Sequence, residues 1–184
     1  MPAYGVQSRK GLAQVVTTLI LLVVSILLSG IVVYYSVNII STRIQTEEVR
    51  LAKEHIWVNS TGAVGAFKVQ NLGGRDILID KIETRGVEEA WTDVYYYRVP
   101  SGTTITGDLN VTSYDNLSGA SVTIDGNTYT RADSDIPLVS GGELLVYIRG
   151  PDNVQVDDIG TTVSFSLFTG LSQYITECNV ESAS

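Results

Sequence analysis

The stretch Leu12–Tyr35, LAQVVTTLILLVVSILLSGIVVYY, decides the architecture. From Gly11 through Thr42 there is no Asp, Glu, Lys, Arg or His. The run exceeds the roughly 20 residues that a helix rising ~1.5 Å per residue needs to cross a ~30 Å hydrocarbon layer. A buried helix of a soluble protein is rarely so long. Thr17, Thr18, Ser25, Ser29 and Gly30 interrupt the Leu, Ile and Val with small or mildly polar groups, which permit close approach between helices as well as contact with lipid. Tyr34 and Tyr35 at its end carry amphipathic rings that suit a membrane interface.

Upstream of this run stands MPAYGVQSRKG, in which Arg9 and Lys10 are the only charges. By the positive-inside rule this side stays cytoplasmic and the remainder lies outside the cell. That remainder is acidic, with 17 acidic and 7 basic side chains between Ile56 and Ser184 in a chain of formal charge −8. It offers no basic stripe for displacing counterions from phosphates, so nucleic acid is excluded as a partner. A secretory signal peptide has a 7–15-residue apolar stretch ahead of a small-residue cleavage site. Here the order is reversed: the conspicuous small residue, Gly11, precedes the run, and a cut beside it leaves the hydrophobic helix as the new N-terminus.

Arg9-Lys10-Gly11 set directly against Leu12 resembles the class III leader of type IV pilins and archaellins. The resemblance implies cleavage after Gly11 by a membrane aspartyl prepilin peptidase and a mature chain beginning Leu12-Ala13-Gln14. It also implies residence in the membrane before assembly, then extraction into a homopolymeric filament through helix packing at the cell surface. Bacterial pilins carry glutamate at the fifth mature position; here that position is Val16, which is more like the archaeal branch. The architecture implied is α+β, a lollipop in three parts: a leader at 1–11, a long helix at 12–55 and a β-sandwich head at 56–184. The function implied is that of a structural subunit of an archaeal type IV pilus-like filament, whose head is exposed for adhesion. An archaellin of a motility filament and an uncleaved single-pass surface binding protein stand as the alternatives.

Beyond Tyr35 the sequence VNIISTRIQTEEVRLAKEHIWV contains no Gly or Pro, and Ile40, Ile44, Leu51 and His55 recur with spacings of four, seven and four. Arg43, Glu47, Glu48, Arg50, Lys53 and Glu54 cover the other faces of the helix this spacing predicts. A helix from Leu12 to His55 would be about 65 Å long.

After Trp57 the pattern changes to short β-branched runs between Gly, Asn and Asp turns. AFKVQNLGGRDILIDKIETRG reads as strand, turn and strand, with Phe67 and Val69 alternating, then Ile77, Ile79 and Ile82, and a turn over 71–76. Further strands are predicted over 93–99, 107–111, 121–124, 128–131, 143–149, and 161–168 continuing after Gly170 through 174–176. Asp125-Gly126-Asn127 is a tight hairpin signal. Regular spacing of this kind favours an antiparallel sandwich or barrel.

Three glycosylation sequons, Asn59-Ser60-Thr61, Asn110-Val111-Thr112 and Asn116-Leu117-Ser118, lie beyond the helix and permit surface glycans. The same asparagines also suit turns and strand ends. His55 and Cys178, the single histidine and cysteine, sit far apart with no neighbours forming a nucleophile–base set. His55 is expected at the helix end, and Cys178, which has no disulfide partner in the chain, as a partly buried apolar side chain. Asp152, Asp157, Asp158, Asp133 and Asp135 lack the Asp-x-Asp-x-Asp-Gly calcium loop and read as solvated surface. No cofactor, metal site or enzymatic activity is expected. Tyr95-Tyr96-Tyr97 alternates faces in a strand, some rings inward and others free to meet a neighbouring subunit.

Overall fold

The computed structural model describes residues 5–44 and 46–183. The chain divides into two compact units at Ile44. The first is one helix, α1 (Gly5–Ile44), 40 residues long, hence about 60 Å at ~1.5 Å per residue. Its side chains are exposed from Gly11 to Thr42, a span long and apolar enough to cross a membrane. Residues 1–4 and the side chains of Arg9 and Lys10 lie outside the described residues, so for most of the expected leader only the helical backbone from Gly5 onward is described.

The helix is shorter than the 12–55 expected. Residues Val49–Asn59 are a strand, β1, and the head begins eleven residues earlier than 56. The misreading has a local cause. β1 pairs with β2 (Gly62–Asn71) with a bulge between Ala52 and His55, where Lys53 takes a left-handed backbone of φ 61°. The extra residue reverses the alternation. Val49 and Leu51 before it, and Ile56 and Val58 after it, therefore reach the same core, and their 2-5-2 spacing does not read as a strand. Tertiary pairing on both edges of β1 then outweighs a helix propensity that Gly or Pro did not oppose.

The remaining strands are β3 (Ile77–Thr84), β4 (Val87–Glu88), β5 (Val94–Arg98), β6 (Ser121–Ile124), β7 (Asn127–Arg131), β8 (Ile136–Leu138), β9 (Glu143–Arg149), β10 (Thr162–Thr169) and β11 (Gln173–Ser182). Among the described residues the eleven strands form one hydrogen-bonded sheet, ordered β4-β3-β10-β11-β1-β2-β9-β5-β7-β6, with β8 on β3. It curls into a half-barrel, whereas the sequence pointed to an antiparallel sandwich or barrel and the head was expected to be sandwich-like. Nor is it wholly antiparallel: the junction is a parallel pair, β1 with β11, in which Ile56, Trp57 and Val58 face Val180, Glu181 and Ser182.

Both faces of the central strands are buried. Leu144, Val146 and Ile148 of β9 enter the core inside the curl, together with Phe67, Ile79, Phe165 and Leu167. Leu145 and Tyr147 enter a second core on the other face, with Trp57, Tyr95, Leu109, Leu117 and Tyr129. That is why β9 reads as the unbroken apolar run LLVYI. Across the first core the Phe67 and Phe165 rings meet at 5.0 Å between centroids.

The segment expected as a strand at 107–111 is irregular. Leu109 is buried in the second core, and the Asn110 carbonyl accepts a hydrogen bond from the Tyr147 hydroxyl at 2.8 Å instead of joining a ladder. Asp125 and Gly126, at φ 50° and 77°, make the anticipated tight turn between β6 and β7.

Candidate functional site

Two regions carry the functional readings: the exposed helix and the turns of the head next to it in sequence. Within α1 the hydroxyls of Thr17, Ser25, Ser36 and Thr42 each donate to the carbonyl four residues back, at 2.7–2.9 Å, and Thr18 to the carbonyl three back. The Asn38 amide donates to Tyr34 O at 3.1 Å. These six polar side chains are satisfied inside the helix, which lowers the cost of placing that part of its surface in hydrocarbon. Gly30 leaves a shallow notch beside Ile26, Leu27, Ile31, Tyr34 and Tyr35, and a Cβ added there would meet no atom within 4 Å. At the expected processing site Arg9, Lys10, Gly11 and Leu12 lie within the helix, with Gly11 and Leu12 exposed.

The head begins in a clamp that the sequence did not announce. Glu48 O accepts hydrogen bonds from Leu72 N at 2.7 Å and Gly73 N at 3.0 Å. Gly73 packs so closely that a Cβ there would sit 2.6 Å from Thr46 O. Glu47, expected on a helix flank, is turned inward with its side chain 6% exposed. Its carboxylate accepts a hydrogen bond from the Thr169 hydroxyl at 2.8 Å and lies 3.9 Å from Arg75 Nε. The buried Asn71 amide ties the neighbouring turns together, donating to the carbonyls of Arg75, Leu138 and Val139 while its oxygen accepts from Gly73 N. The NLGG turn was legible as a turn; that it grips the entry to the head was not.

The sequons occupy three different settings. Asn59 closes the β1–β2 hairpin: its side-chain oxygen accepts from Thr61 N at 2.9 Å and Gly62 N at 3.2 Å. Asn110 is exposed, with its amide on Asp125 at 2.7 Å, but Thr112 of the same sequon is buried. Asn116 is exposed beside buried Leu117 and donates to Thr112 Oγ1 at 2.9 Å.

His55 does not end a helix. It lies in β1, stacked on Trp57 with 4.9 Å between centroids, and its Nε2 is 3.0 Å from Asp108 and its Nδ1 3.7 Å from Glu181. The hydrogen bond from His55 holds the Asp108 carboxyl below its ordinary value. Cys178 is half-buried against the first core, and burial, helped by Glu54 and Glu181, pushes its thiol up to about 12, so it stays protonated near neutrality. Asp158 pairs with Arg85 at 2.8 Å. No three His, Cys, Asp or Glu side chains gather with metal-binding geometry among the described residues. Of the three consecutive tyrosines, Tyr95 is buried in the second core with its hydroxyl on Gly119 O, Tyr97 packs against that core, and Tyr96 packs against the first. Glu89 is a strongly shifted carboxyl: burial raises it to about 7, against a hydrogen bond donated by Asp152 N at 3.2 Å.

The chain matches no protein-family model, and no curated protein is similar enough to it to count as a relative.

Proposed function

We propose that this chain is a structural subunit of an archaeal type IV pilus-like surface filament, cleaved after Gly11 and polymerised through its N-terminal helix. The observation that carries the reading is α1 itself: 40 residues of helix, apolar and exposed from Gly11 to Thr42, with Thr17, Thr18, Ser25, Ser36, Asn38 and Thr42 hydrogen-bonded to its own carbonyls. Such a surface is compatible with lipid, and equally with sister helices once it leaves lipid. Outside the bilayer each Å2 of apolar surface buried contributes roughly 25 cal/mol. Inside it that drive vanishes, and close packing at Ser25, Ser29 and Gly30 must take its place. A prepilin peptidase is the processing partner in this proposal, and Arg9 and Lys10 hold the leader on the cytoplasmic side.

The head supplies the filament's outer surface. Its curled sheet serves as a sandwich would, closing two halves over one interior through β1 and β11, and its net acidity keeps it solvated. Glycans at Asn59, Asn110 or Asn116 would add bulk there. For Asn110 the buried Thr112 requires that modification precede folding of this segment.

The test is negative-stain microscopy of cells carrying the wild-type chain or Gly11→Val, which removes the small residue at the cleavage point. Threads with the wild type and none with the variant support the proposal. A bare cell surface in the wild type, with the protein dispersed in the membrane, refutes it.

A further inference from the structure

Where β5 ends and β9 begins, the head carries a groove of about 560 Å3 between the segments 98–104 and 137–143, a size that suits a small ligand or one unit of a larger one. Both walls are held in shape by main-chain hydrogen bonds. Val99 N donates to Glu143 O at 3.0 Å, Thr103 N to Pro100 O at 3.0 Å, Gly141 N to Asn71 O at 3.0 Å and Gly142 N to Val139 O at 2.9 Å. Ser140 N donates to the Asp76 carboxylate at 2.8 Å. With these donors engaged, the groove has little main chain to offer a peptide, and its recognition chemistry lies in side chains.

Arg98 supplies the charge. Its Nη2 donates to Pro137 O at 3.1 Å and its guanidinium lies over the Tyr96 ring, 5.0 Å from the centroid, so the fork is held in place. Arg98 makes no ion pair among the described residues. Glu143, the carboxylate of the lining, is engaged by Lys68 at 3.7 Å and by the Gln70 amide, so the groove presents an unneutralised cation on an otherwise acidic head. The hydroxyls of Ser101, Thr103 and Thr104 and the rings of Pro100 and Pro137 are exposed along it. A guanidinium fork matches a planar carboxylate through two parallel hydrogen bonds. Side-chain hydroxyls donate to and accept from the hydroxyls of a sugar, and prolyl rings suit its C–H face. We infer that this groove binds a carboxylated saccharide, such as a uronic acid unit, with Arg98 on the carboxylate and Ser101, Thr103 and Thr104 on the ring hydroxyls. This deepens the reading of the head as a surface exposed for adhesion and rests on it only for where the saccharide is met.

The experiment titrates the 15N-labelled full chain, in detergent micelles, with glucuronate, glucose, acetate or inorganic phosphate and follows the amide shifts of Ser101, Gly102, Thr103 and Gly141. Glucuronate should give saturable shifts confined to the groove, with a Kd on the order of 1 mM. Glucose, acetate and phosphate should each bind roughly tenfold more weakly or worse, and Arg98→Lys, which keeps the charge without the fork, should weaken glucuronate by about tenfold. Ser101→Ala, on an exposed turn, should weaken glucuronate roughly threefold and leave acetate unchanged. Acetate or phosphate binding as well as glucuronate makes this a plain anion site, and glucose binding as well removes the role of Arg98; either overturns the inference. Absence of groove shifts with about 20 mM glucuronate also overturns it, even where cells carry filaments. Binding by a chain that forms no filament upholds the groove while refuting polymerisation.

Discussion

Glu89 makes the head's stability depend on pH in a direction opposite to that of most acidic surfaces. Its side chain is 5% exposed, and burial raises its carboxyl from 4.5 to about 7. Below pH 4.5 the group is neutral in both folded and unfolded chains and contributes nothing. Between 4.5 and about 7 the folded chain binds the extra proton, so stability falls as pH rises; above 7 the charge is buried and the loss is complete. At 1.36 kcal/mol per pH unit the loss amounts to about 3 kcal/mol. Glu89→Gln keeps the shape of the neutral acid and removes the titration. Both tryptophans, Trp57 and Trp91, lie in the head, so denaturant unfolding of the full chain in detergent is read by their fluorescence. The variant should match the wild type near pH 4.5 and exceed it by about 3 kcal/mol at pH 8. A gap between the two proteins that is the same at both pH values would refute the reasoning.

Other substitutions probe the packing and the clamp. In Gly65→Ala the new Cβ would stand 2.9 Å from the Phe165 ring, which is fully buried against Phe67, so a loss of roughly 1–3 kcal/mol in the same assay is expected. Gly73→Ala meets main-chain atoms, Thr46 O at 2.6 Å and Glu48 N at 2.8 Å; it should cost a similar ~1–3 kcal/mol and raise amide exchange at Leu72 and Gly73 first. His55→Gln takes the histidine from Asp108, whose carboxyl should move up toward 3.8 in an NMR titration. Deleting β11 severs β10 from β1, and the cooperative unfolding transition should disappear.

What could be read from the sequence was what composition and strict local pattern encode. The charge-free run from Gly11 to Thr42 left no reading but a long helix, and Asp125-Gly126 announced its turn. Alternation failed at Lys53 in β1, where the backbone adds a residue and shifts the inward phase by one; a like irregularity at Asp80, where Ile77 and Ile79 give way to Ile82 and Thr84, did not hide β3. The three-residue β8, with Pro137 at its centre, was too short to stand out and depends on Ile77–Ile79 for its existence. Nor could local pattern show long-range assembly. The parallel pairing of β1 with β11 joins the two ends of the head, and the Glu47–Thr169 contact spans 122 positions. The clamp at the entry to the head therefore emerged only from the fold.

The central claim is that the apolar helix becomes the N-terminus of a polymerising subunit. Intact-mass and N-terminal peptide analysis of the protein isolated from its own cells tests it most directly. The account predicts a chain beginning Leu12-Ala13-Gln14. A mature chain that keeps Arg9, Lys10 and Gly11, or one that has lost Leu12–Tyr35, contradicts it.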